Sequence, residues 1–145
     1  MKKLHKDRVK EKVQVWIYFR DDDQIKVLTL KLIEARGGHW QPVTGSIEPG
    51  ETAVQGAARE AYEESSLPFI GKPLSLDYDF SFETKFGSVH ETCFAIETAA
   101  MEPVKLDPRE HLEYRWLSPE EARSLIKFAS NQETLDRLVK KIKKI

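Results

Sequence analysis

Residues 45–67 read GSIEPGETAVQGAAREAYEESSL. Gly45, Pro49 and Gly50 mark a loop. The pair Thr52 and Gln55 has the form of a capping box, in which a hydroxyl and an amide side chain satisfy the free backbone N–H groups of a helix start. The pattern predicts a helix from about Thr52 to Ser65, ended by Ser66 and Pro68. On a helical wheel, Ala53, Val54, Ala57, Ala58 and Ala61 form one apolar arc, and Glu60, Glu63 and Glu64 form an arc that touches it. Carboxylates so spaced repel by roughly a few tenths of a kcal/mol per pair, and more when partly buried, so a cation should compensate. Oxygen ligands without a nearby Cys and His suit Mg²⁺ or Mn²⁺ rather than zinc. Taken alone, the spacing favours a solvated acidic stripe.

Before the helix, KVQVWIYF (12–19) alternates and is rich in β-branched and aromatic residues, and IKVLTLKLIE (25–34) is its hairpin partner across Asp21-Asp22-Asp23. Gly37-Gly38 breaks the pattern, and His39 to Thr44 is a short extended segment. After the helix, LSLDYDFSFET (74–84) and SVHETCFAIET (88–98) read as a second hairpin around Gly87, and EYRWL (113–117) as a further strand. Ser118 as N-cap and Pro119 at the first helical position start a helix that turns Ala122, Leu125 and Ile126 inward. A last helix from about Gln132 to Ile145 carries Leu135, Leu138, Val139 and Ile142 on one face. Strands around one central helix, with helices at the end, predict an α/β sandwich with a mixed sheet, a single domain over residues 1–145.

Hydrophobic residues at 40% and charged residues at 32% describe a globular chain rather than a disordered or fibrous one. The formal net charge of -1 gives no global field toward nucleic acid or a membrane. Basic residues do crowd the ends, at Lys2, Lys3, Lys6, Arg8, Lys10 and Lys12 and again at Lys140, Lys141, Lys143 and Lys144; solvated tails are the expectation for both. The lone Cys93 is expected to be a small buried side chain. Neither a signal-peptide core nor an apolar run of membrane length is present, so the expected location is cytoplasmic. His5, His39, His90 and His111 are dispersed and read as surface or packing residues, with His90 the one candidate for a site if its strand borders the cleft.

The 45–67 run as a whole resembles the signature of the Nudix hydrolases. Gly45, Glu51, Arg59, Glu60, Ala61, Glu63, Glu64 and Leu67 all fall at signature positions, a chance event on the order of 10⁻⁷ from residue usage. Ser66 stands where the signature has Gly, at the end of the helix, where a left-handed residue is common. The resemblance implies that Glu60 and Glu64 ligate metal and that Glu63 is the base for the attacking water or a helper ligand. It also implies that Glu51 and Arg59 form an ion bridge holding the loop to the helix, and that the Gly45 carbonyl completes the coordination.

Beyond this run, WQPVTGSIEPGET (40–52) and REHLEYRWLSPEEARSL (109–125), followed by Ser130-Asn131, resemble the bacterial dihydroneopterin triphosphate diphosphatases, Nudix enzymes that release pyrophosphate. That likeness adds Glu110, just before His111-Leu112, to the metal set; without it Glu110 reads as a solvated loop carboxylate. Where many members carry an Arg late in the second strand, this chain has Leu32, with Lys31 beside it. Lys31, Trp40 and Thr44 are the expected substrate contacts, although an aromatic before the signature can equally pack the core. The expected activity is Mg²⁺-dependent (or Mn²⁺-dependent) hydrolysis of a phosphoanhydride in a small nucleotide-like molecule, a nucleoside or pterin triphosphate, with release of pyrophosphate. The alternatives are an RNA 5′ pyrophosphohydrolase, in which the basic termini would grip the polyanion, a dinucleoside polyphosphate or ADP-ribose hydrolase, and a binding module that does not cut. Nudix enzymes often dimerise, so a homodimer is a further expectation.

Overall fold

The computed structural model describes residues 9–143, which leaves Lys2, Lys3, Lys6, Arg8 and Lys144 outside the described residues. Strand β1 (Val9–Asp21) is the axis of the fold. One of its edges pairs in parallel with β6 (Gly87–Thr98), from Val9 opposite Ser88 to Tyr18 opposite Glu97. The other edge is shared: the first half pairs with β4 (Val43–Ser46), the second with β2 (Gln24–Leu32), both antiparallel. β2 in turn carries β3 (Trp40–Gln41) and β7 (His111–Leu117), while β5 (Phe69–Thr84) closes the far side against β6. One parallel pair among antiparallel ones makes the sheet mixed, as predicted. The fork between β4 and β2 opens a gap in it.

The period of two along β1 divides the core. Val13, Val15 and Ile17 face one side with Leu28, Leu30, Phe94 and Ile96, beneath Ala57 and Ala61 of helix α1 (Ala53–Ser65). Trp16 and Tyr18 face the other with Cys93 and Ala95, beneath helices α2 (Pro119–Leu125) and α3 (Ala129–Lys143). The result is a three-layer α/β/α arrangement, a form of the α/β sandwich expected from the element order.

Both predicted caps form. Thr52 and Gln55 exchange hydrogen bonds at 3.1 and 2.9 Å, and Ser118 and Glu121 do the same at 3.2 and 3.0 Å with Pro119 at the helix start. Ser66 takes the left-handed conformation, φ 62°, that ends α1. Val54 departs from expectation: it is 39% exposed, and Gly56 is buried in the arc instead. The lack of a side chain at Gly56 lets α1 lie against the loop of Ile47 and Glu51, which a Cβ would crowd. The last helix begins earlier than predicted, at Ala129, and of its apolar stripe Leu135, Leu138 and Ile142 are buried. Cys93 is buried as expected, and burial pushes its thiol pKa up.

Candidate active site

The acidic edge of α1 faces a cleft of about 660 Å³ that opens at the fork of the sheet. Glu60, Glu63 and Glu64 line it from the helix, Thr44 and Gly45 from β4, and Glu110 and His111 from the turn that leads into β7 and its first residue. Lys10, Lys12 and Arg36 bring positive charge to the same walls.

Arg59 organises the loop before the helix. Its Nε and Nη2 donate to the two carboxylate oxygens of Glu51 at 2.8 and 3.0 Å, and Nη2 also reaches the Ser46 carbonyl at 2.7 Å. Nη1 donates to Glu60 and to Glu63, each at 3.1 Å. The guanidinium therefore holds Glu51 well below the usual carboxylate range, and Glu51 raises the Arg59 pKa in return. Glu51 further accepts from the Glu48 backbone N–H at 2.9 Å, which closes the loop.

Gly45 lies directly under Glu60. A Cβ built on Gly45 would collide with the Glu60 carboxylate, so the residue type is set by the close approach of strand to helix. Burial raises the Glu60 pKa, opposed by Arg59.

Glu64 is the most perturbed group in the cleft. It is 8% exposed, and burial, reinforced by the charges of Glu110 and Glu60, pushes its pKa to about 8. Its Oε1 is buried without a hydrogen-bond partner, and so is Nε2 of His111, 3.7 Å away. Burial lowers the His111 pKa, which favours the neutral imidazole. Glu64, Glu110 and His111 each bring one ligand atom to within 4.8 Å of the others. Glu110 is placed by a tight turn in which the Asp107 carbonyl accepts from the N–H groups of Glu110 and His111, while its own carbonyl accepts from Ile33. Two orphaned polar atoms and a carboxylate forced toward neutrality fit a divalent cation with hard donors, which would relieve all three.

The structure thus gathers Glu60, Glu63, Glu64, Glu110, Gly45 and Thr44 at one cleft, with Glu51 and Arg59 behind it. It places Lys31 and Trp40 elsewhere: the Trp40 ring, only 9% exposed, lies between Lys31 at 6.0 Å and Arg115 at 4.7 Å. Trp40 packs, the alternative that its sequence position left open, and Lys31 goes with it. His111 takes the packing alternative of the expectation for the histidines, buried beside Glu64. His90 is held by Glu11 at 2.8 Å and Asp79 at 2.6 Å, off the cleft walls.

A sequence model of the NUDIX domain matches residues 10–139. The chain belongs to the Nudix family. It is 31% identical over 146 residues to the dihydroneopterin triphosphate diphosphatase of Escherichia coli K12, covering 92% of this chain and 97% of that one. It is 34% identical over 104 residues to the asymmetrical bis(5'-nucleosyl)-tetraphosphatase of Sus scrofa, covering 67% and 69%. Among solved structures, the Caenorhabditis elegans Ap4A hydrolase superposes with a TM-score of 0.77 over 94% of this chain and 99% of that one, at 22% identity, a likeness of fold. This chain is accordingly a Nudix hydrolase, of a family that works with divalent metals. No helix among the described residues is long and apolar enough to cross a membrane.

Proposed function

We propose that this Nudix hydrolase cleaves a phosphoanhydride bond in a nucleoside or pterin triphosphate and releases pyrophosphate, with Mg²⁺, or Mn²⁺ in its place, held by Glu60, Glu64, Glu110 and the Gly45 carbonyl. The observation that carries this reading is the buried, unpartnered Glu64 carboxylate beside Glu110 and His111, a site that is costly without a cation. Bound there, the ion would neutralise phosphate charge and lower the pKa of an attacking water. Glu63, the most exposed of the helix acids and tethered to Arg59 at 3.1 Å, orients or deprotonates that water. Arg59 and Glu51 hold the loop so that Gly45 and Glu60 keep their close approach. Lys10, Lys12 and Arg36 receive the polyphosphate, and Thr44 contacts it at the mouth of the cleft.

Support for a triphosphate comes from the diphosphatase relative, which spans nearly all of this chain. The tetraphosphatase relatives favour a second reading, a dinucleoside polyphosphate. A panel of dihydroneopterin triphosphate, nucleoside triphosphates, diadenosine tetraphosphate, ADP-ribose and 5′-triphosphate RNA, with products identified, decides between them. Pyrophosphate from a triphosphate supports the first reading, and turnover of none of the panel with Mg²⁺ or Mn²⁺ overturns it.

A further inference from the structure

One buried charge takes no part in this chemistry. Glu91, 5% exposed, sits on β6 in a rung that runs across the sheet, with Lys12 of β1 opposite it on one side and Phe80 of β5 on the other. Its Oε1 accepts a hydrogen bond from Gln14 Nε2 at 3.0 Å. The Gln14 amide is itself oriented, because Trp16 Nε1 donates to Thr134 Oγ1 at 2.9 Å and Thr134 Oγ1 donates to Gln14 Oε1 at 2.5 Å. This chain of buried bonds ties α3 to β1 and fixes the carboxylate. The second oxygen of Glu91 makes no hydrogen bond among the described residues and, unlike Oε1 of Glu64, is not sealed from the pocket that Glu91 lines with Lys12. A buried carboxylate with one neutral partner costs stability, and its pKa is raised by burial.

Glu91 lines a pocket of about 450 Å³ with Phe80, Phe82, Phe128 and the buried Asn131. Phe80 and Phe82 stack at 5.9 Å with 24° between their planes, giving an aromatic wall. Lys12, Gln41 and Thr44 line both this pocket and the acidic cleft, so the two are one continuous surface. Its size and its mix of apolar wall and few polar groups are those of a site for a bicyclic ring.

We propose that Glu91 selects the heterocycle of the substrate, its carboxylate accepting paired N–H donors from the edge of a guanine- or pterin-type ring packed against Phe82 and Phe128. Guanine and pterins present a ring N–H beside an exocyclic amino group, which matches two carboxylate oxygens; adenine presents no such adjacent donors. The aromatic wall binds either ring, whereas the carboxylate distinguishes them, since an unmatched buried acid is left unpaired. This inference takes the position of the phosphates from the proposed function, and the ring itself from the pocket.

The test is binding of the non-hydrolysable α,β-methylene analogues of GTP and ATP, by calorimetry with Mg²⁺, to the wild type, Glu91→Gln and Phe82→Ala, with thermal midpoints recorded for each. We expect the wild type to prefer the guanine analogue at least tenfold, Glu91→Gln to reduce that preference to below threefold, and Phe82→Ala to weaken both analogues without changing their ratio. Equal wild-type affinities, an unaltered ratio in a folded Glu91→Gln, or no effect of Phe82→Ala overturns the proposal. Because binding is read without turnover, a guanine preference that depends on Glu91 stands even if no triphosphate is hydrolysed, and hydrolysis without that preference removes this inference alone.

Discussion

Glu64 of α1 and His111 of β7 meet at 3.7 Å, both buried, with Oε1 of one and Nε2 of the other lacking a hydrogen-bond partner. On the proposed function, a cation entering here would offset the cost of this arrangement. Replacing Glu64 by Gln removes the group that can ionise to bind a cation and keeps the shape. Turnover should fall on the order of 10³-fold or more, while the metal-free protein becomes no less stable. Steady-state assays beside thermal unfolding in EDTA check both halves; full activity in the variant would mean that the metal site lies elsewhere.

The same carboxylate predicts a pH dependence. Glu64 keeps its proton to about pH 8 in the folded protein but loses it near the ordinary value of 4.5 when unfolded, so its contribution to metal-free stability is complete below 4.5 and is lost as pH rises through 8. His111, with a lowered pKa, has the opposite sign: it penalises the fold below its ordinary 6.5 and is silent above. His90, raised by Asp79 and Glu11, adds a loss above 6.5 in wild type and variant alike. Between pH 6.5 and 8 the wild type should therefore lose stability more steeply than Glu64→Gln, by up to ~1.4 kcal/mol per pH unit. Metal affinity should rise over the same range because binding displaces that proton. Parallel melting curves for the two proteins, or an affinity flat from pH 6.5 to 8, would count against it.

Gly45→Ala tests the close approach of β4 to α1. The added methyl group meets the end of the flexible Glu60 side chain rather than backbone, so the fold should survive while turnover falls about 10²-fold, as a roughly 1 Å misplacement of the carboxylate implies. An active Gly45→Ala would show that the Glu60 position is not critical.

Arg59→Lys keeps the charge but cannot reach Glu51, the Ser46 carbonyl, Glu60 and Glu63 together. Turnover should drop by about 10²-fold or more, with a thermal midpoint several degrees lower, because the loop before the helix loosens. Ser66→Gly should act in the reverse direction: at φ 62° glycine relieves the backbone, raising stability by ~1 kcal/mol without altering turnover. Differential scanning calorimetry on both variants decides.

How far these features can be seen in the sequence depends on range. The capped helix α1, the alternation of β1 and the Ser118-Pro119 helix start are local, each set by residues within one turn or one strand, and each forms where the pattern put it. The short strand β4 is too brief for a periodic signal, so the fork it makes with β2 along β1 was invisible. The Glu64–His111 contact joins distant segments, and a histidine taken alone gave no sign of its neighbour. A signal for Glu91 was present: in SVHETCFAIET the period that buries Val89 and Cys93 buries Glu91 too, and a charge at an inward strand position points to a partner or a ligand. What a ligand would meet there depends on Gln14, Thr134 and Phe128, which only the tertiary structure brings near.

The fork beside β1 has a consequence for how such a protein can change. Glu60, Glu63 and Glu64 belong to the layer of α1, the aromatic wall and Glu91 to the layer of α3, and among the described residues Lys12, Gln41 and Thr44 line both. On the proposed reading, cutting tool and handle are separate fittings on one spine. Exchanging a few side chains under α3 can hand the blade a different cargo while its edge stays as it was.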